Sequence, residues 1–207
     1  GSHLSAKVRM REPELVEEAG SKALGLRVMI GQQVALSSTS DLTSRGIDRL
    51  VEDALELARL AEPDPYAGTP DRAFLSSRAS HAALEIFDAS VAGVDAASAV
   101  DRALVGERAA LGADPRITNS EGATFSRATG RSALVTSGGF EGGSEGTYVS
   151  LVVSPVADDA DGKKRSGYHW DARRWLVSLS PPEAIGLEAA RRTVRKLGAT
   201  KIDSAEM

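Results

Sequence analysis

The sequence predicts an α+β fold, a mostly antiparallel, twisted sheet packed against amphipathic helices. Two strand-like runs flank a glycine turn near the start, a block of alternating residues fills the middle, and helical periodicities interrupt them at irregular intervals. Strict alternation of strand and helix, the mark of a parallel sheet, is missing, and no repeat of solenoid length is evident.

Gly1-Ser2-His3 reads as the scar of a cleaved tag and is set aside. Leu24–Ile30 and Val34–Thr39 are apolar and β-branched runs around Gly31-Gln32-Gln33, which predicts a hairpin. Asp41 or Thr43 then offers an N-cap. Ile47, Leu50, Val51, Ala54, Leu57, Ala58 and Ala61 recur at three- and four-residue steps until Pro63 and Pro65 forbid further helix. From Gly68 to about Gly93 the pattern weakens into a Ser/Ala-rich connection with one candidate strand at Leu84–Phe87. Val94, Ala97, Val100, Leu104 and Leu111 mark a second helix that Gly112 and Pro115 end. Strands follow at Thr124–Thr129, at Arg131–Ser137 after a turn at Gly130, at Thr147–Ser154, and near Arg165–Trp170. Ser180-Pro181-Pro182-Glu183 has the pattern of a capping box, with prolines where a missing N–H matters least. Leu187, Ala190, Val194 and Leu197 form the apolar stripe of that last helix, and Gly198 stops it.

Composition narrows the chemistry. A formal charge of −4 speaks against a surface built for phosphate backbones, so nucleic acid is disfavoured as a partner. With no cysteine there is no disulfide, no thiolate metal site and no Cys nucleophile, which fits a cytoplasmic chain. The longest apolar runs, such as Tyr148–Val153, fall far short of the roughly 20 residues of a membrane helix, so no membrane partner is expected.

The candidate chemistry is thin. Of three histidines, His3 lies in the tag, His81 in the weak connection and His169 in the GYHWDARRW stretch. His169 and Asp171 share one side of a strand and could pair, but a third partner is missing. Asp158-Asp159-Ala160-Asp161-Gly162 lacks the alternating ligands and terminal Glu of a calcium loop and reads as a hairpin tip. The glycine-rich Ser137–Gly146 carries two glutamates, no lysine and no following helix, so it reads as a mobile inter-strand loop rather than a phosphate cradle. Arg191-Arg192 and Arg195-Lys196 complement a helix C-terminus, and Lys163-Lys164-Arg165 with Arg173-Arg174 flank a hairpin. Tyr148, Tyr168, Trp170 and Trp175 read as core or interface anchors, with a partner-facing patch as the minority reading. No catalytic, cofactor-binding or metal-binding residue is assigned.

Four short motifs occur in a telling order: Asp64-Pro65-Tyr66-Ala67-Gly68, Asn119-Ser120-Glu121-Gly122, Ala172-Arg173-Arg174 and Pro182-Glu183-Ala184-Ile185-Gly186. Together they resemble the PmbA/TldD family, and their details resemble its PmbA (TldE) branch, named among modulators of DNA gyrase. The resemblance implies an N-terminal α+β domain over residues 4–203, with two lobes (about 4–112 and 113–203) as the alternative, and with 204–207 opening a linker to a β-rich C-terminal domain. It further implies a non-catalytic partner of a TldD-like zinc metallopeptidase in peptide processing. Zinc is expected in that partner or in a C-terminal half, since no His-Glu-x-x-x-His occurs here. The alternatives are the N-terminal part of a metallopeptidase, and a gyrase- or nucleic-acid-binding module. Expected partners are a TldD-like subunit or a second copy, and unfolded peptides, with DNA gyrase a weaker candidate.

Overall fold

A computed structural model describes residues 1–76 and 83–200, and it divides them into two compact units. Of the described residues, the larger comprises 2–19, 85–131 and 145–200; the smaller comprises Gly1, 20–76, 83–84 and 132–144. The division does not fall near residue 112, because strands distant in sequence pair with one another.

The larger unit is a six-stranded sheet with two helices on one face. Its strands are β1 (Ser2–Arg9), β2 (Glu12–Gly20), β5 (Ile117–Val135), β6 (Glu141–Asp158), β7 (Lys164–Ser166) and β8 (His169–Arg173), of which Gly20 and the far ends of β5 and β6 within 132–144 are assigned to the smaller unit. Their order is β2-β1-β5-β6-β7, with β8 also on β6. β1 runs antiparallel to β5, from Ser2 opposite Thr129 to Val8 opposite Ala123, so Ser2 and His3 lie within a strand. Alternate residues of each strand point inward: Leu4, Ala6 and Val8 on β1, Phe125 on β5, and Val149, Leu151 and Val153 on β6 are all buried. Over them lie α3 (Ala96–Gly112) and α4 (Pro182–Val194), which contribute Ala99, Ala103, Ala110, Ile185, Ala189 and Ala190. A one-turn helix, α2 (Ala89–Ala92), precedes α3 and buries Val91.

Small residues set the closeness of this packing. A Cβ on Gly186 would lie 2.1 Å from the Gly106 carbonyl oxygen, so α4 crosses α3 backbone against backbone. This is why the buried stripe of α3 is Ala99, Ala103, Gly106 and Ala110 rather than the larger Val100, Leu104 and Leu111, which are half-buried, or Ala97, which is exposed. In the same way Leu187 of α4 is exposed, and Gly186 and Ala189 take the inner face.

The smaller unit is a hairpin of β3 (Leu24–Ile30) and β4 (Gln33–Thr39), paired from Leu24 opposite Thr39 to Ile30 opposite Gln33, with α1 (Ser44–Leu60) against it. Thr43 caps α1, accepting a hydrogen bond from the Gly46 N–H. Leu50, Ala54 and Ala58 are buried, whereas Ile47, Val51 and Leu57 of the predicted stripe stay partly exposed. Two strands are too narrow to cover so wide an apolar face.

Four expectations are corrected. The chain does not turn at Gly130, which lies inside the 19-residue β5; the reversal comes at Thr136–Phe140, where Thr136 and Phe140 are hydrogen-bonded. Leu84–Phe87 is not a strand: Glu85 has a φ of 48°, outside the extended region, and the segment is held instead by the Thr147 N–H donating to the Ile86 carbonyl. The last strand divides into β7 and β8 around Gly167, opposite Pro155, whose missing N–H interrupts the ladder. Ser180 does not cap α4: the cap position is Pro181, and the Ser180 hydroxyl turns to Asp171.

Candidate functional site

The Asn119–Gly122 motif forms a distortion in β5 beside the β1–β2 turn. The Asn119 side-chain oxygen accepts from the Ser120 N–H, and the buried Ser120 hydroxyl accepts from the Gly122 N–H at 2.9 Å. Gly122 has φ of 120°, and a Cβ there would sit 2.6 Å from the Val8 carbonyl oxygen, so the motif's glycine is required twice over. Next to it, Met10 and Arg11 link β1 to β2 with φ of 51° and 69°, the backbone of a tight hairpin turn. Their N–H groups donate to the two carboxylate oxygens of Glu107, at 3.0 and 2.7 Å, and Glu107 is 0% exposed. A shallow cleft of about 530 Å³ opens above this turn, lined by Arg9, Met10, Glu12, Glu14, Thr118 and Asn119. Arg9 donates to the Ser120 carbonyl, and Lys7 pairs with Glu14 at 2.5 Å, which holds the Glu14 carboxyl below its ordinary pKa. Glu107 was not singled out in the sequence, because the small-residue face it shares with Ala103 and Ala110 is not the one that the larger residues of α3 mark.

His169 and Asp171 do share a side of β8, as expected, opposite Val153 and Leu151. Asp171 is committed elsewhere. Burial opposes its ionisation, but the Ser180 N–H and hydroxyl, Arg173 and the Ala172 N–H outweigh burial and leave its pKa lowered. Arg173 pairs with it at 2.6 Å. Its partners stitch β8 to the start of α4. Arg174, the last residue of the Ala-Arg-Arg motif, exchanges hydrogen bonds with Thr147: its guanidinium donates to the Thr147 carbonyl, and the Thr147 hydroxyl donates to the Arg174 carbonyl at 2.7 Å.

The aspartate-rich tip behaves as a hairpin tip. Asp158 pairs with Lys164, and Asp159 pairs with Arg165 at 2.6 Å while accepting from the Gly198 N–H. The Asp161 side chain, His81 and residues 201–207 lie outside the described residues. Of the glycine-rich stretch, residues 141–146 belong to β6, so the loop is much shorter than the sequence suggests. Arg191 and Arg192 both pair with Glu188. Tyr148, Tyr168, Trp170 and Trp175 are exposed rather than core residues. Among the described residues no three His, Cys, Asp or Glu side chains converge as metal ligands do.

Residues 89–197 match the PmbA/TldA metallopeptidase central domain, and residues 1–58 match domain 1 of the same family. The chain belongs to the PmbA/TldD family. It is 34% identical to the metalloprotease PmbA homolog of Haemophilus influenzae over 206 residues, all of this chain and 45% of that protein. It is 33% identical to metalloprotease PmbA of Escherichia coli O157:H7, over 97% of this chain and 44% of that one. The chain thus spans less than half the length of these relatives. Among solved structures, a Bacteroides thetaiotaomicron protein described as a modulator of DNA gyrase superposes with a TM-score of 0.88 at 22% identity, over 97% of this chain and 45% of that one. TldE of Thermococcus kodakarensis superposes with a TM-score of 0.78 at 15% identity, over 93% of this chain and 42% of that one. At such identities these two likenesses speak for the α+β fold alone.

Proposed function

We propose that this chain is the architectural N-terminal part of a PmbA/TldE-like protein, which partners a TldD-like zinc metallopeptidase in processing peptides in the cytoplasm. The observation that carries the reading is the use three of the four family motifs make of key residues. Asn119–Gly122 shapes a strand distortion, Arg174 locks onto Thr147, and Gly186 admits the backbone of α3. Ser120, Gly122, Arg174 and Gly186 are thus engaged in internal packing, while Tyr66, Glu121 and Glu183 of the same motifs are exposed at the surface. Zinc, and the water it would activate, belong on this reading to the partner.

The test is reconstitution. The full-length protein, alone, is expected to bind no stoichiometric zinc by elemental analysis and to leave peptides intact, and to co-purify with a TldD-like subunit whose peptidase activity it supports. Stoichiometric zinc together with peptide cleavage by the protein alone would overturn the proposal. A second reading has support from the names of the curated relatives, which are metalloproteases: the whole protein is itself a peptidase whose ligands lie outside these residues. A His-Glu-x-x-x-His in the remainder of the full-length sequence would decide for it.

A further inference from the structure

β2 stands at the edge of the six-stranded sheet, with β1 on one side and, among the described residues, no strand on the other. All nine of its residues, Glu12–Gly20, are exposed, including Leu15 at 50% and Val16 at 44%. An open edge of this length presents a row of unmet backbone donors and acceptors, a template for one more strand. Its charge is one-sided: Glu12, Glu14, Glu17 and Glu18 occupy four of the nine positions and no Lys or Arg occurs among them. Glu14 is matched by Lys7 and Glu18 by Arg127, while Glu12 and Glu17 make no ion pair among the described residues.

The occupant follows from that charge. A second copy of β2 would bring glutamates against glutamates, and like charges opposed across a ladder destabilise it. An acidic edge with Pro13 near its start is thus protected against its own kind, as edge strands commonly are. The same carboxylates attract a strand with lysine or arginine at alternate positions, and Leu15 and Val16 give such a strand apolar contacts between its charges. We propose that β2 is a docking edge for an extended, basic polypeptide segment, which adds to the sheet as a seventh strand. This goes beyond the architectural role and holds whether or not a TldD-like subunit binds.

The experiment uses the 207-residue chain and fluorescently labelled nine-residue peptides of alternating Lys-Val, Glu-Val, and Lys-Val with N-methylated backbone amides, read by anisotropy. The Lys-Val peptide is expected to bind more tightly than Glu-Val by about tenfold or more, a difference of about 1.4 kcal/mol, and to slow amide exchange within residues 12–20. N-methylation should abolish binding, because it removes ladder hydrogen bonds without touching charge. Glu12→Lys with Glu17→Lys should reverse the preference, and Val16→Pro should weaken the Lys-Val peptide with the charge unchanged. Equal binding of the two peptides, undiminished binding of the N-methylated one, which would mean charge attraction alone, or no binding of any of them would overturn the proposal. Should Val16→Pro fail to fold, the charge reversal and the N-methylated peptide still decide.

Discussion

At the residue scale, the tightest constraints are on atoms that are missing. Gly186 has no room for a Cβ against the Gly106 carbonyl, so Gly186→Ala must push α4 off α3. The expected cost is about 1–3 kcal/mol, read as a lower midpoint in denaturant unfolding. Gly112 is the matching control. It is also helical, but a Cβ there meets nothing within 4 Å, so Gly112→Ala should be neutral or stabilising by up to about 1 kcal/mol. Equal losses in the two variants would show that the α3–α4 crossing does not govern the effect. Glu107 has a comparable hold on the β1–β2 turn. Glu107→Ala leaves two backbone donors without their acceptor and should cost about 2 kcal/mol. Glu107→Gln, which keeps one acceptor, should fall in between. Two non-glycine residues at positive φ need such an anchor, so amide exchange at Met10 and Arg11 should speed up in both variants.

At the scale of elements, Arg127 joins parts of the larger unit that are distant in sequence. From β5 it donates to the Val94 carbonyl ahead of α3, to Glu18 on β2 and to the Ser2 hydroxyl on β1, and it is 7% exposed. Arg127→Met keeps the aliphatic stem but removes all three bonds. A loss of about 2–4 kcal/mol is expected, with β2 the first strand to lose protection in hydrogen exchange. An unchanged exchange pattern in β2 would mean that the β1–β2 turn alone holds that strand. The three long helices and the β3–β4 hairpin were legible in the sequence because each follows from local periodicity and nearby breakers. Thr43, Pro63 and Pro65 bracket α1 within a few residues. The buried side of α3 was not legible. Periodicity ranks large residues first, whereas the side that packs was chosen by how closely a second helix approaches. The split of the last strand depended on Pro155, which lies nine residues or more from the strands it interrupts.

At the scale of the whole molecule, the carboxylates set the response to acid. Asp114 is drawn down to about 2 by Arg116, Glu188 to about 2 by Arg191 and Arg192, and Asp159 to about 2 by Arg165 and the Gly198 and Ala160 N–H groups. Each titrates lower folded than unfolded, where 3.8 for Asp and 4.5 for Glu are the ordinary values. The stabilisation they give is therefore complete above those values and is lost as the pH falls toward about 2. The thermal midpoint should be nearly level from pH 5 to 7 and drop steeply below pH 4.5. Asp159→Asn should make that drop shallower, as seen in thermal scans across the pH range, and an unaltered slope would remove Asp159 from the account. The Asp114 and Glu188 pairs lie at the surface, so added salt should weaken their share of the effect, whereas the Asp159 side chain, 7% exposed, should be screened least.

Read alone, the sequence determined the α+β class, the family through four ordered motifs, and the positions of the three long helices, because all of these reside in neighbouring residues; α2 was missed within the Ser/Ala-rich connection. The tertiary structure decided which strands pair, where the two units divide, and what the motif residues are for. Strand pairing joins β1 to β5 across more than a hundred residues, and no local pattern encodes such a contact. The same holds for Glu107, Arg127 and Gly186, whose partners become neighbours only once the chain has folded.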